Sequence, residues 1–258
     1  MLLALTSRNT PWTPFQRRTW LAEQRRKHHR SPAQPEPASL LTGLQGYYDF
    51  ADGSLTSHGV MDDLFLTSDT GGPLWIDTDN YGRSFFNGSG GAMLEGGGYS
   101  ITSYPFTFTC WMMRDEYTYT EVPPFALFSY DVNHAQVELA YYDADNIWAY
   151  LGDANRSGLC WFGSLGFGLA DNVFHQCTLV FTANSVATYV DGQLTGTFAH
   201  TTPCPNLNKL SLGWRWIDWF RQRGPLKVGN IGIWNRALTA DDVTQLYNGG
   251  LGLDYASL

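Results

Sequence analysis

Aromatic and basic residues are concentrated in one ten-residue segment, WRWIDWFRQR, at residues 214–223. Three tryptophans, one phenylalanine and three arginines occupy these ten positions. Aromatic side chains bury a large area at a low entropic cost, and Arg supplies a planar set of hydrogen-bond donors, so the composition is typical of a binding surface. The candidate contact residues are Trp214, Arg215, Trp216, Trp219, Phe220, Arg221 and Arg223.

Three interpretations of this segment stay open. If the preceding strand, LSLG, continues through Gly213, then Trp214 and Trp216 fall on its inward face and extend the core. If the strand ends at Gly213, the segment is a loop with its aromatic and basic residues exposed. Such a loop suits either a contact with another protein or stacking on the apolar face of a sugar ring.

Carboxylates in ELAYYDADN offer the best candidate for catalysis, and they fit it poorly. Retaining glycoside hydrolysis needs two carboxyl groups about 5 Å apart. Glu138 and Asp143 are an odd number of residues apart, so an uninterrupted strand places them on opposite faces, and Asp145 falls in a predicted turn. The sequence also contains no G-x-S-x-G, H-E-x-x-H or P-loop pattern. We therefore expect no enzymatic activity.

Charge divides the chain into two parts. Residues 1–38 contain seven Lys or Arg and two acids, whereas the remainder contains nine Lys or Arg and twenty-two acids. In the first part Thr13 caps a predicted helix over residues 14–29. The following SPAQPEP predicts an extended linker, because proline interrupts both helix and sheet. We expect two domains: a basic N-terminal arm, residues 1–38, and an acidic domain, residues 39–258.

The arm combines aromatic and basic side chains that suit anchoring. Aromatic rings allow apolar docking, and basic groups allow contacts with carboxylates or phosphates. The predicted anchoring residues are Trp12, Phe15, Arg17, Arg18, Trp20, Arg25, Arg26, Lys27 and Arg30. We expect the partners to be other protein subunits of an assembly, present in several copies. Nucleic acid is a disfavoured partner, because the acidic domain repels a duplex.

Short β-rich segments separated by Gly, Asn and Asp fill residues 43–238. Asp191-Gly192 within SVATYVDGQLTG predicts a tight hairpin, and TADDVTQLYNGG predicts a short helix capped by Thr239. The pattern predicts an all-β antiparallel sandwich of the jelly-roll type with a C-terminal helix. No segment of the sequence is long and apolar enough to predict a membrane span, and MLLALTSRNTPW lacks the pattern of a secretory signal.

The order of these segments resembles the concanavalin A-like jelly roll, in particular laminin G-like and pentraxin-like domains. The resemblance is carried by FTFTCWMMR, FALFSYD, FHQCTLVFTANSVATYVDGQL and VGNIGIWNRALTADDVTQLYNGG, and it covers residues 44–250. Pentraxins join the cysteine matching the last residue of FTFTC to the one in an H-x-C motif. The resemblance therefore implies that Cys110 and Cys177 lie close together, and whether they form a disulfide depends on the redox compartment.

The resemblance also raises the question of calcium. Pentraxins place several calcium ligands just after a strand ending in Leu-Gly, and here LSLG is followed by WRW, which cannot coordinate calcium. Asp131, Asn133 and Asp218 fall near the other ligand segments. We expect no cofactor and no metal, with calcium as a disfavoured alternative.

A jelly roll with a basic arm and without catalytic motifs predicts a non-enzymatic, lectin-like structural or adhesion protein. The arm would attach it to a larger assembly, and a phage or virus particle is the favoured setting, by analogy with the architecture of such components. The alternative is a free-standing carbohydrate-binding module, extracellular or on a cell surface. A glycoside hydrolase is the least supported class.

Overall fold

The computed structural model describes residues 39–50, 54–66, 74–78, 84–88, 94–113, 122–128, 136–143, 146–152, 160–164, 173–204, 206–212, 214–217, 220–223 and 226–258. All of them belong to one unit, Ser39–Leu258. The predicted arm helix, the linker and the nine anchoring residues lie outside the described residues. The division into a basic arm and an acidic domain therefore stays a prediction.

Short alternating segments form antiparallel strands, as the sequence predicted. The strands are β1 Leu44–Tyr48, β2 His58–Gly59, β3 Phe65–Leu66, β4 Leu74–Thr78, β5 Ser84–Gly88, β6 Leu94–Gly96, β7 Phe106–Met113, β8 Val122–Phe128, β9 Gln136–Asp143, β10 Asn146–Gly152, β11 Cys160–Ser164, β12 Phe174–Phe181, β13 Ser185–Val190, β14 Gln193–Ala199, β15 Lys209–Leu212, β16 Trp214–Ile217, β17 Phe220–Arg223 and β18 Leu226–Trp234. One helix, α1 Ala240–Tyr247, follows, with 3-10 turns at Asn248–Gly250 and Tyr255–Ser257.

Two large sheets make up the domain. In the described part of the chain, the nine-stranded sheet has the order β14-β13-β12-β7-β18-β1-β2, with β5 also paired to β18 and β4 paired to β5. The seven-stranded sheet has the order β11-β10-β9-β8-β15-β6-β3. Strands β16 and β17 form a separate two-stranded sheet. The antiparallel jelly-roll sandwich predicted from the sequence is confirmed.

The main core lies between the two large sheets. Phe108 of β7, Leu179 of β12 and Ile233 of β18 belong to one cluster with Leu139 of β9 and Leu212 of β15, and all five side chains are fully buried. Each strand alternates these inward residues with residues on the opposite face. The stability of the fold therefore rests on apolar area buried between the sheets.

A second core covers the outer face of the nine-stranded sheet. Val243 and Leu246 of α1 pack with Val180, Tyr189 and Trp234 of the sheet in one buried cluster. Helix α1 begins where the sequence predicted, because Thr239 and Asp242 form a reciprocal capping box. It ends at Asn248, whose φ of 49° is left-handed. No helix within the described ranges is long and apolar enough to cross a membrane.

The predicted hairpin between β13 and β14 is confirmed. Asp191 and Gly192 form its two-residue turn, with φ angles of 50° and 75°. Two successive positive φ values are the geometry that Asp-Gly favours in tight hairpins. The Asp191 carboxylate also accepts hydrogen bonds from His175 Nδ1 at 2.7 Å and from the backbone N–H of Gln176 at 2.9 Å, which tie the turn to β12.

Candidate binding surface

The Trp/Arg-rich segment is a β-hairpin. Trp214, Arg215 and Trp216 lie on β16, and Phe220, Arg221 and Arg223 lie on β17, whereas Trp219 falls outside the described residues. The register pairs Trp214 with Arg223, Arg215 with Gln222, Trp216 with Arg221, and Ile217 with Phe220. Aromatic residues and the β-branched Ile217 favour strands. The segment therefore forms two paired strands, not the loop that one of the open interpretations described.

This hairpin does not extend the strand that precedes it. Strand β15 ends at Leu212 in the seven-stranded sheet, and β16 begins at Trp214 in its own two-stranded sheet. Both hairpin strands run close to β8. Among the described residues, β15 and β16 therefore belong to different sheets.

The alternation of residues along β15 identifies the outer face of the seven-stranded sheet, which is the face opposite the main core. Leu210 and Leu212 are fully buried members of the main core, so Ser211 between them belongs to the opposite face. Ser211 is opposite Ala126 of β8 on one side and Glu95 of β6 on the other. Residues opposite each other in an antiparallel pair share a face of the sheet. The residues on the outer face can thus be identified from strand to strand through these pairs.

One row of residues crosses this outer face. The register of six neighbouring strand pairs links Phe65, Glu95, Ser211, Ala126, Glu138, Tyr150 and Trp161 in that order. We call this set the transverse row. Its central residue, Ala126, belongs to β8, the strand beside the hairpin. The row has aromatic residues at both ends and two glutamates between them, and Ser211 beside Ala126 is fully buried.

An ion pair marks one part of the transverse row. Lys209 Nζ lies 3.9 Å from Glu95 Oε2, and the two side chains are 27% and 14% exposed. Lys209 is two residues before Ser211 and shares its face. A carboxylate can accept hydrogen bonds from hydroxyl groups.

Spacing within the transverse row does not match that of a glycoside hydrolase. Glu95 and Glu138 are separated by β15 and β8, three strand spacings or about 14 Å. Retaining enzymes hold their carboxyl groups about 5 Å apart, and inverting enzymes about 6.5–9.5 Å apart. This pair is therefore wider than either mechanism uses.

The buried thiols also lack the features of a catalytic group. Cys110 of β7 and Cys177 of β12 are directly opposite each other, and both are free and fully buried. Burial raises the pKa of both thiols, and it raises the pKa of the half-buried Cys204 to about 11. A nucleophilic cysteine needs the opposite shift.

His175 is a core side chain with one carboxylate partner. Its Nδ1 is hydrogen-bonded to Asp191, and its buried Nε2 has no hydrogen-bond partner among the described residues. No group of three His, Cys, Asp or Glu side chains within the described ranges is arranged to hold a metal ion. The sequence analysis named three residues near the segments that bind calcium in pentraxins. These residues, Asp131, Asn133 and Asp218, lie outside the described ranges.

The fold and its sequence place the chain in a known class. A laminin G family model of the concanavalin A-like lectin/glucanases superfamily matches residues 89–244. The chain belongs to this superfamily, as the resemblance predicted. A search of curated protein sequences found no match.

Solved structures with a similar fold include an arabinanase domain and neurotoxin receptor-binding domains. Domain 4 of AbnA, an extracellular arabinanase from Geobacillus stearothermophilus, was determined with arabinotriose; it has 16% identity and a TM-score of 0.61, over 81% of this chain and 98% of that domain. The receptor-binding domain of botulinum neurotoxin C/D mosaic serotype has 15% identity and a TM-score of 0.61, over 81% of this chain.

A second neurotoxin structure, the serotype D ligand-binding domain, was determined with N-acetylneuraminic acid. It has 14% identity and a TM-score of 0.59, over 82% of this chain. The chain spans about half the length of both neurotoxin domains, 51% and 52%. At these identities the likeness establishes the fold.

Proposed function

We propose that this protein is a non-enzymatic, lectin-like adhesion module whose contact surface is the β16–β17 hairpin, with the two glutamates of the transverse row as further candidate contacts. The observation that carries the proposal is the separation of the hairpin from both sandwich sheets. A segment with three tryptophans and three arginines in ten residues, paired outside both large sheets, supports a contact with a partner. The seven hairpin residues named from the sequence are the proposed contacts.

A glycan is the partner that the surface favours. Tryptophan and tyrosine provide flat apolar faces for sugar rings, and carboxylate and hydroxyl groups bind sugar hydroxyls. The hairpin and the transverse row supply both kinds of residue close to β8. Membership of a superfamily that includes lectins, and similar folds solved with arabinotriose and N-acetylneuraminic acid, support the same choice.

Two observations support binding without hydrolysis. The strand positions of Glu95 and Glu138 are about 14 Å apart, and the sequence contains no G-x-S-x-G or H-E-x-x-H motif. We expect that the chain retains an oligosaccharide without releasing new reducing ends. Incubation with each bound sugar, followed by a reducing-end assay, tests this; release that Glu138→Gln abolishes would assign a hydrolase.

Binding is tested on immobilised oligosaccharides with the full chain. Trp216→Ala and Arg221→Ala should weaken binding, since both residues belong to the hairpin, and unfolding midpoints should stay near that of the parent. Leu194→Ala is the matched control, because Leu194 is 57% exposed on β14 of the other sheet. Equal binding by all four proteins, or binding to no sugar at all, would count against the hairpin as a glycan surface.

The basic arm supports a further proposal, that the module is attached to a larger assembly. Residues 1–38 carry seven basic residues on a chain whose remainder is acidic, which suits an anchor to other protein subunits. A virus or phage particle is the proposed setting, and an extracellular or cell-surface location is the alternative. Copurification of the full chain, but not of a chain lacking residues 1–38, with a large particle would support attachment.

A free-standing, oligomeric lectin-like module is the competing proposal. Hydrogen exchange of the isolated full-length chain separates the two, because local protection reports what holds the arm. Fast exchange throughout residues 1–38 is expected if an outside partner holds them. Strong protection in the isolated chain would favour self-docking or a homo-oligomer.

A further inference from the structure

The register of the hairpin places an arginine opposite each of two tryptophans. Trp214 is paired with Arg223, and Trp216 is paired with Arg221. Opposite residues share a face, and positions two apart on a strand share it as well. The register therefore assigns these four residues to one face of the hairpin, which we call the Trp–Arg face.

A different set of residues belongs to the other face. Arg215 is paired with Gln222, and Ile217 is paired with Phe220. Each arginine on the Trp–Arg face thus has a tryptophan opposite it. Arg215, on the other face, has Gln222 opposite it. This contrast provides two arginines on the Trp–Arg face and one on the other face for comparison within the same hairpin.

The hairpin segment is rich in positive charge, whereas the domain as a whole is acidic. Residues 39–258 contain nine Lys or Arg and twenty-two acids, and three of the nine are in residues 214–223. A neutral sugar needs no cation, and carboxylates and amides satisfy its hydroxyls. Guanidinium groups are matched to carboxylates, which they bind through two parallel hydrogen bonds.

We infer that the Trp–Arg face takes an acidic saccharide, one that presents a carboxylate next to an apolar ring face. This inference rests on the proposed function of the hairpin as the contact surface, and it names the ligand class. An indole would stack on the sugar ring while the arginine opposite it would bind the carboxylate. The repeat of the pair two residues along gives this face two such positions.

The test uses matched ligands that differ only in the carboxylate. The probes are sialyllactose and oligogalacturonides, each beside its carboxyl-reduced form, with lactose as the neutral reference. Binding of the full chain to each is measured by calorimetry or on an array at two salt concentrations. We expect the acidic member of at least one pair to bind tighter by tenfold or more, since paired hydrogen bonds from a guanidinium to a carboxylate are stronger than hydrogen bonds between neutral groups.

Variants then assign the carboxylate to a face. Arg221→Gln and Arg223→Gln should each reduce the preference for the acidic member, and Arg215→Gln, with the same change of charge on the other face, should reduce it less. Arg221→Lys keeps the charge but loses the two-point geometry, so it should recover only part of the preference. Thermal unfolding confirms that each variant is folded.

The outcomes separate the ligand class from the proposed function. Equal binding of acidic and reduced forms, still weakened by Trp216→Ala, would overturn the acidic class and leave the hairpin as a glycan surface. Loss of preference in Arg215→Gln to the same extent as in Arg221→Gln would overturn the Trp–Arg face. Binding that no hairpin variant alters would overturn both proposals.

Discussion

Cys110 and Cys177 are directly opposite each other in the antiparallel pairing of β7 with β12, and neither side chain has any exposed surface. The Cys110 Sγ is in contact with Met112, 4.0 Å from its Sδ. Burial raises the pKa of both thiols, and the negative charge of Asp191 adds to the shift at Cys177. Since the thiolate is the reactive form, both cysteines should be inert in the native state.

Alkylation followed by peptide mass spectrometry checks this expectation. At pH 8, iodoacetamide should leave Cys110 and Cys177 unmodified in the folded chain and modify both in denaturant without reductant, because the structure holds them as free thiols. Cys204, half-buried with a pKa of about 11, should react faster than either but slower than a free peptide. A linked Cys110–Cys177 peptide from unreduced protein would instead establish the disulfide that the family resemblance implied.

Asp242 should make the stability of the domain depend on pH in the acid range. Burial opposes its ionisation, but hydrogen bonds from Arg236 and from Thr239 outweigh burial and lower the pKa of Asp242 below the ordinary 3.8. A carboxylate with a lowered folded-state pKa stabilises the fold at any pH above its unfolded value. This stabilisation is lost as the pH falls below about 4 through the folded-state pKa.

The measurement is urea unfolding of the parent chain and of Asp242→Ala between pH 7 and pH 3. At pH 7 the substitution should cost about 3 kcal/mol, because it leaves Arg236 without its buried partner. The difference between the two proteins should shrink at pH 3. Asp241→Ala is the control: Asp241 is exposed in the same turn of α1, so its loss should change stability by no more than about 0.5 kcal/mol.

Local signals in the sequence were sufficient to predict the elements that are held by contacts between neighbouring residues. Asp191-Gly192 fixes a hairpin, and Thr239 with Asp242 fixes a helix start, because the groups involved are neighbours in the chain. The pairing of Cys110 with Cys177 came from the family resemblance, since nothing in the spacing of two distant cysteines specifies a partner. Strands β4 and β5 were missed because Asp, Asn and Gly interrupt their apolar runs.

The sequence predicted only part of the candidate binding surface. The composition of residues 214–223 marks them for binding, but alternation alone cannot separate an extension of β15 from a hairpin of its own. The transverse row was not predictable, because it depends on the register between strands far apart in the chain, such as Glu95 with Ser211. Register of this kind is set by the packing of both sheets and has no local signal.

Gly192 and Gly249 allow backbone strain to be separated from crowding. Both have positive φ, 75° and 61°, which costs any other residue about 1 kcal/mol. A Cβ on Gly192 would lie 3.0 Å from the Cβ of Tyr247, whereas a Cβ on Gly249 would meet nothing within 4 Å. Gly192→Ala should therefore destabilise the domain more than Gly249→Ala in chemical denaturation. Equal costs would show that Tyr247 moves away freely.

The segment after α1 should be a structural part of the sandwich. The carbonyl of Leu253 accepts hydrogen bonds from Tyr47 Oη at 2.6 Å and from Asn230 Nδ2, and the backbone N–H of Tyr255 donates to Asp49 at 2.9 Å. The Tyr255 ring also stacks on His58, with centroids 4.3 Å apart. These contacts attach the end of the chain to β1, β2 and β18.

Ending the chain after Leu251 should cost about 3 kcal/mol or more, because the buried hydroxyl of Tyr47 and the amide of Asn230 both lose their acceptor. Tyr47→Phe removes one donor while Asn230 still binds the Leu253 carbonyl, so it should cost about 1 kcal/mol. Ser257→Ala, which changes an exposed side chain in the same segment, is the control. If the shortened chain unfolds at the same urea concentration as the parent, the segment is held without stabilising the fold. The expected pattern, a large loss on shortening and a small loss in Tyr47→Phe, would show that the contacts act together to close the edge of the nine-stranded sheet.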